Sequence, residues 1–266
     1  MKSWTTVFPE GDFRFHLTLR RGEPGAFFAG QDPTGRILEE RRRWLEEDRE
    51  RHAALEPEGV PLLAEFAELA VGWAGTPPSR AAAPLDVVEM GKRLEPDLLL
   101  LAREPGDTYR LRGGALCFPT GWALREKLGA TLEEIHQPVP GLNEALAVPV
   151  QQFLGRMKPG IAYLRDNWGL AATDELNLHP ERGLPAPRRP VNLAGLWLRV
   201  EHQALVALPR SGGIAFGIRI SLVRLDGVVG TPLAADLRRA LATMPEPLAA
   251  YKRLLEVRED LLERLA

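Results

Sequence analysis

The sequence predicts an α+β domain with an antiparallel sheet, and two patterns carry this prediction. Residues 196–203 and 214–220 alternate apolar and polar side chains, and a loop containing Gly212-Gly213 joins them, which is typical of an antiparallel hairpin. Apolar residues recur with a helical period before residue 102 and after residue 231. Helices first, a sheet with inserted helices next and helices last are the order expected of an α+β protein.

The N-terminal third is predicted to be mainly helical. Amphipathic periodicity predicts helices over residues 34–55 and 60–73, and a third helical stretch over 85–102. Prolines and small residues at 76–84 predict a break between the second helix and the third. Within the third stretch, Asp97 is the expected cap of a helix that restarts after a proline.

The pattern changes after Gly106, where residues rich in strand formers begin. We therefore divide the chain into an N-terminal, mainly helical region at residues 1–105 and a sheet-containing region at residues 106–266, together forming one compact domain. Strands are predicted near 109–118, with a bend at Gly113-Gly114, and near 161–171, 195–204 and 213–222. Helices are predicted at 122–128, 131–136, 143–157, 232–243 and 247–265.

Composition excludes several classes of partner. The chain has 266 residues, a net charge of −2 and 45% hydrophobic residues, which is ordinary globular composition without the basic surface that nucleic acid requires. The first residues lack the apolar core of a signal peptide, and no apolar run reaches bilayer length. The single cysteine, Cys117, leaves no intrachain disulfide and fits a reducing compartment. We expect a cytoplasmic protein with no nucleic-acid or membrane partner.

The common catalytic motifs are absent from the sequence. It contains no P-loop, dinucleotide fingerprint, Cys-x-x-Cys pair or His-Glu-x-x-His motif. Four serines lack the Gly-x-Ser-x-Gly setting of an exposed nucleophile: Ser3, Ser79, Ser211 and Ser221. Cys117 lies in an apolar segment that we interpret as a strand, so we expect a buried, inert thiol rather than a nucleophile.

His136 has a more specific setting than the other histidines. Thr131 and Glu134 have the spacing of a capping box, which predicts a short helix that ends at His136. Pro138 prevents the helix from continuing, and Trp122 upstream offers an apolar wall. From spacing alone, the first interpretation is a structural histidine, and a haem or metal ligand is the second.

The other four histidines occupy less informative positions. His16 and His52 lie in helix-rich or polar surroundings, and we expect both at the surface. His179 stands at the beginning of a proline-rich loop, which assigns it no role. His202 lies on the polar side of a predicted strand, with Arg199 close in sequence.

A series of short motifs gives the chain a family resemblance. In this order they resemble the haem-dependent oxidative N-demethylase alpha-subunit-like family, and the resemblance covers at least residues 97–254. The motifs are C-F-P-T-G-W at 117–122, E-K-L-G at 126–129, I-H-Q-P-V-P-G at 135–141, R-D-N-W at 165–168, R-V-E-H-Q-A-L-V-A-L-P-R-S-G at 199–212, F-G-I-R at 216–219 and A-A-Y-K at 249–252.

The resemblance implies a fold and a reaction. The family's haem lies in a PAS-like antiparallel sheet with flanking N- and C-terminal helices, here the region 106–266. A relative removes a methyl group from a secondary methylamine with O₂, using electrons from separate flavin and iron–sulfur subunits and releasing formaldehyde. We therefore expect a haem b-binding oxidoreductase subunit that acts on a small methylated amine and depends on an external electron-donor protein. The alternatives are a non-catalytic haem-binding PAS-like sensor or carrier, and a haem-free structural relative.

The same resemblance assigns roles to five residues. His136 is expected to coordinate the haem iron, with its second ring nitrogen bonded to a carbonyl or carboxylate and the sixth iron position left for O₂. Trp122 is expected to contact the haem. Arg165 and Arg219 are expected to pair with its propionates, because guanidinium groups bind carboxylates bidentately. Glu201 is the expected catalytic residue, meeting a cationic amine. For both arginines and Glu201, ion pairs on the sheet surface remain the alternative.

Overall fold

The protein forms a twisted antiparallel sheet with helices on both faces. A computed structural model describes residues 4–74 and 86–266. Within these residues the strands are β1 (Arg20–Gly22), β2 (Ala53–Leu55), β3 (Asp97–Arg103), β4 (Tyr109–Ala115), β5 (Ala162–Ala171), β6 (Trp197–Ala207) and β7 (Ile214–Arg224), joined in the order β1-β5-β6-β7-β3-β4-β2 with every neighbouring pair antiparallel.

The described helices, together with the antiparallel sheet, confirm the α+β class. None of the described helices combines the length and apolar composition that a bilayer span requires. The described helices are α1 (Pro24–Phe28), α2 (Arg36–Glu47), α3 (Arg49–His52), α4 (Val60–Ala74), α5 (Val87–Arg93), α6 (Leu124–Lys127), α7 (Leu132–His136), α8 (Leu142–Leu154), α9 (Pro232–Thr243), α10 (Glu246–Tyr251) and α11 (Arg258–Arg264).

The four predicted strands are confirmed as β4 to β7. The hairpin predicted from alternation is β6 and β7, whose register runs from Ala207 opposite Ile214 to Trp197 opposite Arg224. Because side chains alternate across a strand, every register position assigns a side chain to one of two sheet faces. This alternation decides which of the candidate site residues lie together.

We name the two faces by the helices that cover them. The α8 face carries Tyr163 of β5, whose ring packs edge-on against Phe153 of α8 with ring centroids 5.1 Å apart. The opposite α4 face is covered at one end by α1 and α4. At the other end of the α4 face, helices α9 to α11 pack on Leu198 and Val200 of β6.

Three helix predictions were wrong, and in the first two a strand pairing with residues distant in sequence overrides local periodicity. The helix predicted at 34–55 ends before residue 53, where the chain turns into β2 and pairs with β4. The stretch after Asp97 is strand β3, because its short apolar run is buried between β7 and β4, a setting that periodicity cannot separate from a buried helix. The helix predicted at 247–265 is interrupted at Arg253, whose φ is 56°. The break predicted at 76–84 lies outside the described residues.

The glycine pair predicted as a bend lies inside β4 and has a packing reason. A Cβ atom on Gly114 would lie 2.1 Å from the carbonyl oxygen of Leu98 in β3. A Cβ atom on Gly113 would lie 2.7 Å from the carbonyl oxygen of Ala54 in β2. The neighbouring strands therefore approach β4 more closely than any side chain allows, and the pairing with β3 shifts register at this point.

Asp97 begins β3 as a buried hub rather than as a helix cap. Its Oδ1 accepts hydrogen bonds from Arg41 Nη1 at 2.5 Å and from the Cys117 amide at 2.7 Å, and its Oδ2 accepts one from the Phe118 amide at 3.0 Å. Arg41 and Asp97 are both fully buried, and Arg41 Nε also donates to the carbonyl of Gly91 at 2.8 Å. One ion pair thus joins α2, β3 and the segment that follows β4.

We expect Asp97→Asn to lower the free energy of unfolding by about 3–5 kcal/mol, because Arg41 would keep a buried charge without a counter-ion. The exposed pair of Arg224 and Asp226 is the matched control, and Asp226→Asn is expected to cost less than about 1 kcal/mol. Urea unfolding followed by circular dichroism measures both variants. Equal losses of unfolding free energy in the two variants would show that the buried pair stabilises the fold no more than the exposed pair does.

Candidate functional site

The first motif, at 117–122, is held in place from two sides. Asp97 binds its amides, and Arg199 binds the oxygens that follow them. Arg199 Nη2 donates to the carbonyl of Phe118 at 2.9 Å, and Nε donates to the Thr120 hydroxyl at 2.9 Å. Arg199 is buried, and burial lowers its pKa to about 10, so the side chain is still charged near neutral pH. Asp97 and Arg199 therefore hold the segment at 117–120 from both sides, which fixes the position of the chain just before Trp122.

Cys117 is a structural residue of this held segment and not a reactive one. Its side chain is fully buried, and burial raises the pKa of the thiol to about 12. The thiol therefore stays protonated at neutral pH, which agrees with the expected inert cysteine. The residue lies just after β4, which ends at Ala115, rather than within a strand.

His136 stands at the end of α7, as its capping pattern predicted. The Thr131 amide donates to Glu134 Oε2 at 2.7 Å, and the Glu134 amide donates to the Thr131 hydroxyl at 3.2 Å, which completes the capping box. Ile135, the preceding residue, packs into the apolar cluster on the α8 face. The short helix thus has a fixed start and an anchored end, so the half-buried His136 ring is carried on a stiff support.

The charge state of His136 is set by burial and by two cations. Burial, then Arg165, then Lys127 lower the pKa of the imidazole from 6.5 to about 4. The ring is therefore neutral near pH 7 and has a nitrogen lone pair to offer. Within residues 4–74 and 86–266 neither ring nitrogen has a protein hydrogen-bond partner. The carbonyl or carboxylate partner expected for the second nitrogen is not found among those residues.

Arg165 lies on the α8 face and has no ion-pair partner among the described residues. It stands opposite Gln203 in the register of β5 and β6, and no carboxylate or carbonyl of the described chain is bonded to its guanidinium. Burial lowers its pKa, while the charges of Glu201 and Asp166 raise it. A guanidinium that is partly withdrawn from water and has no directly bonded partner in the described chain can accept an anion as a partner.

Glu201 lies next to Arg165 on the same face, and one of its two carboxylate oxygens already accepts hydrogen bonds from the protein. Glu201 is 8% exposed, and its Oε2 accepts from Asn167 Nδ2 at 3.2 Å and from Gln203 Nε2 at 2.8 Å. In the described part of the chain, Oε1 has no protein donor. Lys252, from the last motif, places its Nζ 2.7 Å from the Trp168 carbonyl, and the charge of Glu201 partly offsets the lowering of the Lys252 pKa by burial.

Trp122 contributes the apolar surface of the site. It is half-buried and packs against the same apolar cluster as Ile135, a cluster that includes Leu111 and Ile218 from the sheet. Trp122, the predicted cofactor contact, and the helix that bears His136 therefore pack against the same apolar cluster.

Arg219 is the one candidate that the structure places elsewhere. It lies on the α4 face, where its Nη1 pairs with Glu95 Oε2 at 2.6 Å and its Nε donates to the carbonyl of Phe27 at 2.8 Å. A further bond goes to the carbonyl of Ala29. The guanidinium thus ties α1 to the sheet, and it is separated from Arg165 and His136 by the sheet itself.

Sequence reasoning missed His16. Its side chain is half-buried, and its Nδ1 is buried without a partner among the described atoms. Burial, then Arg165, then Arg14 lower its pKa, so His16 and His136 are near the same guanidinium. The alternation of Phe13 and Phe15 with Arg14 and His16 is the signal that could have indicated an extended segment here.

His52 was also expected at the surface, and this was wrong. It is 1% exposed, with Nδ1 3.0 Å from the carbonyl oxygen of Leu116, and its ring centroid lies 5.9 Å from that of His179. Among the residues that the structure describes, no cluster of three or more His, Cys, Asp or Glu side chains is arranged to hold a metal ion. Metal binding at His136 thus remains a prediction in which other donors complete the coordination.

The lowered pKa of His136 predicts a pH dependence of stability. Between about pH 4 and pH 6.5 the unfolded chain binds a proton that the folded chain does not, so the free energy of unfolding falls as the pH falls through this range. His136→Gln should remove up to about 1.4 kcal/mol per pH unit of this slope. Urea unfolding at pH 7, 6 and 5 measures it, with Gln137→Ala, an exposed neighbour, as the control. An unchanged slope in His136→Gln would show that the imidazole titrates normally.

A comparison with protein families identifies the chain's family. A family model described as haem-dependent oxidative N-demethylase, alpha subunit-like, matches residues 72–262, which is well over half of the chain. The matched region contains His136, Arg165, Glu201 and Trp122, and it excludes the N-terminal segment that carries His16.

Proposed function

We propose a function for this chain from one premise: it belongs to the haem-dependent oxidative N-demethylase, alpha subunit-like family. We infer that it is the haem b-binding subunit of an oxidoreductase that removes a methyl group from a small methylated amine with O₂. The observation that carries this inference is the proximity of His136 to Arg165 on the α8 face. A neutral imidazole and a guanidinium without a directly bonded partner in the described chain lie close enough for the cation to lower the pKa of the ring.

The residues on the α8 face fit a haem. A haem needs apolar contact for its faces, one neutral axial donor and cations for its propionates. His136 is neutral near pH 7 and has no competing protein partner in the described residues. Arg165 offers the cation, and Trp122 with Ile135 offers the apolar contact. We therefore propose His136 as the iron ligand and Arg165 as the propionate partner.

Glu201 is proposed to bind the amine. Its Oε2 is anchored by Asn167 and Gln203, which fixes the orientation of the carboxylate, while Oε1 is left to accept an N–H from an ammonium group. When bound, the haem would supply the iron at which O₂ oxidises the N-methyl group. Glu201 would hold the amine nitrogen and so orient the substrate for that oxidation.

Two further parts of the proposal rest on the family and the sequence. We propose that the antiparallel sheet, with its haem region at 106–266, is PAS-like, and that the protein works in the cytoplasm. We also propose that electrons come from a separate flavin and iron–sulfur protein. The sequence has no flavin, nicotinamide or iron–sulfur motif, and its single cysteine cannot hold a cluster.

A second function is favoured by one observation, the position of His16. Its buried Nδ1 lacks a described partner, and its pKa responds to the same Arg165 that lowers the pKa of His136. If both imidazoles bound one haem iron, no position would remain for O₂, and the protein would be a non-catalytic haem sensor or carrier. The spectrum of the haem-loaded protein separates the two functions, because two imidazoles give a six-coordinate, low-spin iron.

His136→Ala should abolish or strongly shift the Soret band of the haem-loaded protein, because the proposed iron ligand is lost. The control is His202→Ala, which removes a histidine from the opposite face of the same sheet and should leave the band unchanged. Visible spectra of the oxidised, reduced and CO-bound forms measure both variants. An unaltered spectrum in His136→Ala would place the ligand elsewhere, and His16→Ala would then be the next variant to measure.

Arg165→Gln should weaken haem binding by about 10- to 100-fold, the loss expected for a charge-assisted hydrogen bond to a propionate. The same change should leave the thermal stability of the haem-free protein nearly unchanged, because it breaks no hydrogen bond or ion pair of the described residues. Arg219→Gln is the matched comparison, and it should lower stability without a specific effect on haem affinity. A haem titration followed at the Soret band decides which arginine serves the haem, and a selective loss of affinity in Arg219→Gln would move the site to the α4 face.

A further inference from the structure

Three residues on the α4 face form a hydrogen-bonded chain across neighbouring strands. Asp166 of β5 stands opposite His202 of β6, and His202 Nδ1 lies 2.7 Å from Asp166 Oδ1. The other ring nitrogen, Nε2, lies 2.5 Å from the hydroxyl of Ser221 on β7. A carboxylate, an imidazole and a hydroxyl are thus aligned in the order that activates a serine nucleophile.

The surroundings of Asp166 fix the positions of the protons. Its side chain is 3% exposed and also pairs with Arg20 Nη2 at 2.8 Å. Burial raises the pKa of Asp166, but its hydrogen bonds with His202 and Thr6, together with the nearby charge of Arg20, leave the pKa below its usual value. An ionised carboxylate can only accept, so Nδ1 of His202 carries the proton. In the neutral ring Nε2 is then the acceptor for the Ser221 hydroxyl.

The chain of groups lies in a polar strip that solvent reaches. On one side of it Trp168 and Val200 belong to the apolar cluster under the C-terminal helices, and on the other side Ala204 belongs to the cluster under α1 and α4. The side chain of His202 is 38% exposed, and Ser221 is half-buried. A small reagent can therefore approach the hydroxyl, while the Asp166 carboxylate, two strands away, is shielded from solvent.

We propose that Ser221 is a nucleophile, activated by His202 and oriented through Asp166, that accepts an acyl group from a small activated ester. The Ser221 oxygen forms a bond to the carbonyl carbon as its proton passes to His202 Nε2. The bond from that carbon to the leaving oxygen then breaks, and the leaving group takes the proton from the imidazole. Water, deprotonated by the same nitrogen, releases the carboxylic acid and restores the serine.

The position of Ser221 limits the substrate class. It lies within a regular strand and not at a strand-to-helix turn, where converging backbone N–H groups stabilise the developing oxyanion. We therefore assign it to electrophiles with good leaving groups, such as aryl esters and fluorophosphonates, rather than to amides or alkyl esters. The site is on the sheet face opposite His136, so the inference does not depend on haem binding.

The test is covalent labelling of the full-length protein with a fluorophosphonate, followed by intact mass and peptide mapping. We expect one adduct per chain, on Ser221, and none on Ser221→Ala. Ser211→Ala is the matched control, because the Ser211 hydroxyl bonds to the carboxylate of Glu65 and not to an imidazole, and it should label like the parent protein. A major adduct on any other residue, or no adduct above the Ser221→Ala level, overturns the proposal.

Two further variants test the activation itself. His202→Gln and Asp166→Asn should each lower the labelling rate at least tenfold, because the first removes the base and the second removes the group that sets its tautomer. Thermal unfolding confirms that each variant is folded. The parent protein should also release about one equivalent of 4-nitrophenol in a burst from 4-nitrophenyl acetate. Labelling of His202→Gln at the parental rate, or a parent protein without a burst, would show that Ser221 is an ordinary hydroxyl.

Discussion

The buried ion pair of Arg41 and Asp97 is the constraint on which the rest of the site depends. The buried carboxylate of Asp97 pairs with Arg41 and also accepts from the Cys117 and Phe118 amides, so its hydrogen-bonding capacity is used within the protein. This arrangement fixes the point at which the chain leaves β4 and begins the segment that leads through Trp122 to His136. Arg199 binds the carbonyl side of the same segment, so its amides and carbonyls are both held by buried charges.

In the pairing of β5 with β6, consecutive residues of each strand lie on opposite faces of the sheet, and the two faces carry different polar groups. Arg165 and Asp166 are consecutive, and alternation directs them to opposite faces, as it does Glu201 and His202. On the α8 face the Arg165 cation, which has no directly bonded partner in the described chain, lies near a neutral imidazole. On the α4 face an ionised carboxylate supports an imidazole and a hydroxyl. A slip of one residue in this pairing would exchange the two sets, and both sites therefore depend on the apolar side chains that fix the register.

Local patterns predicted the elements whose determinants are local. The hairpin of β6 and β7 followed from strict alternation, α4 from its periodicity, and the start of α7 from a capping box that needs only Thr131 and Glu134. The misplaced elements depend on partners distant in sequence. Leu98 to Leu101 are apolar on both sides because β3 is buried on both faces, so no alternation marks them as a strand. The last predicted helix breaks at Arg253, where a left-handed residue lets Leu254 turn into the core.

The sequence by itself determined the family resemblance, the α+β class, the inert Cys117 and the stiff presentation of His136, because each depends on a short run of residues. Only the tertiary structure decided which side chains meet. Arg165 and Arg219 are equivalent as sequence motifs, yet Glu95 and two carbonyls occupy one of them while the other has no partner in the described chain. Ser221, which lacks any nucleophile motif, faces His202 because two strands pair in one register. Hydrogen bonds and charges act through space over a few ångströms, and residues far apart in sequence reach that range only when the sheet forms.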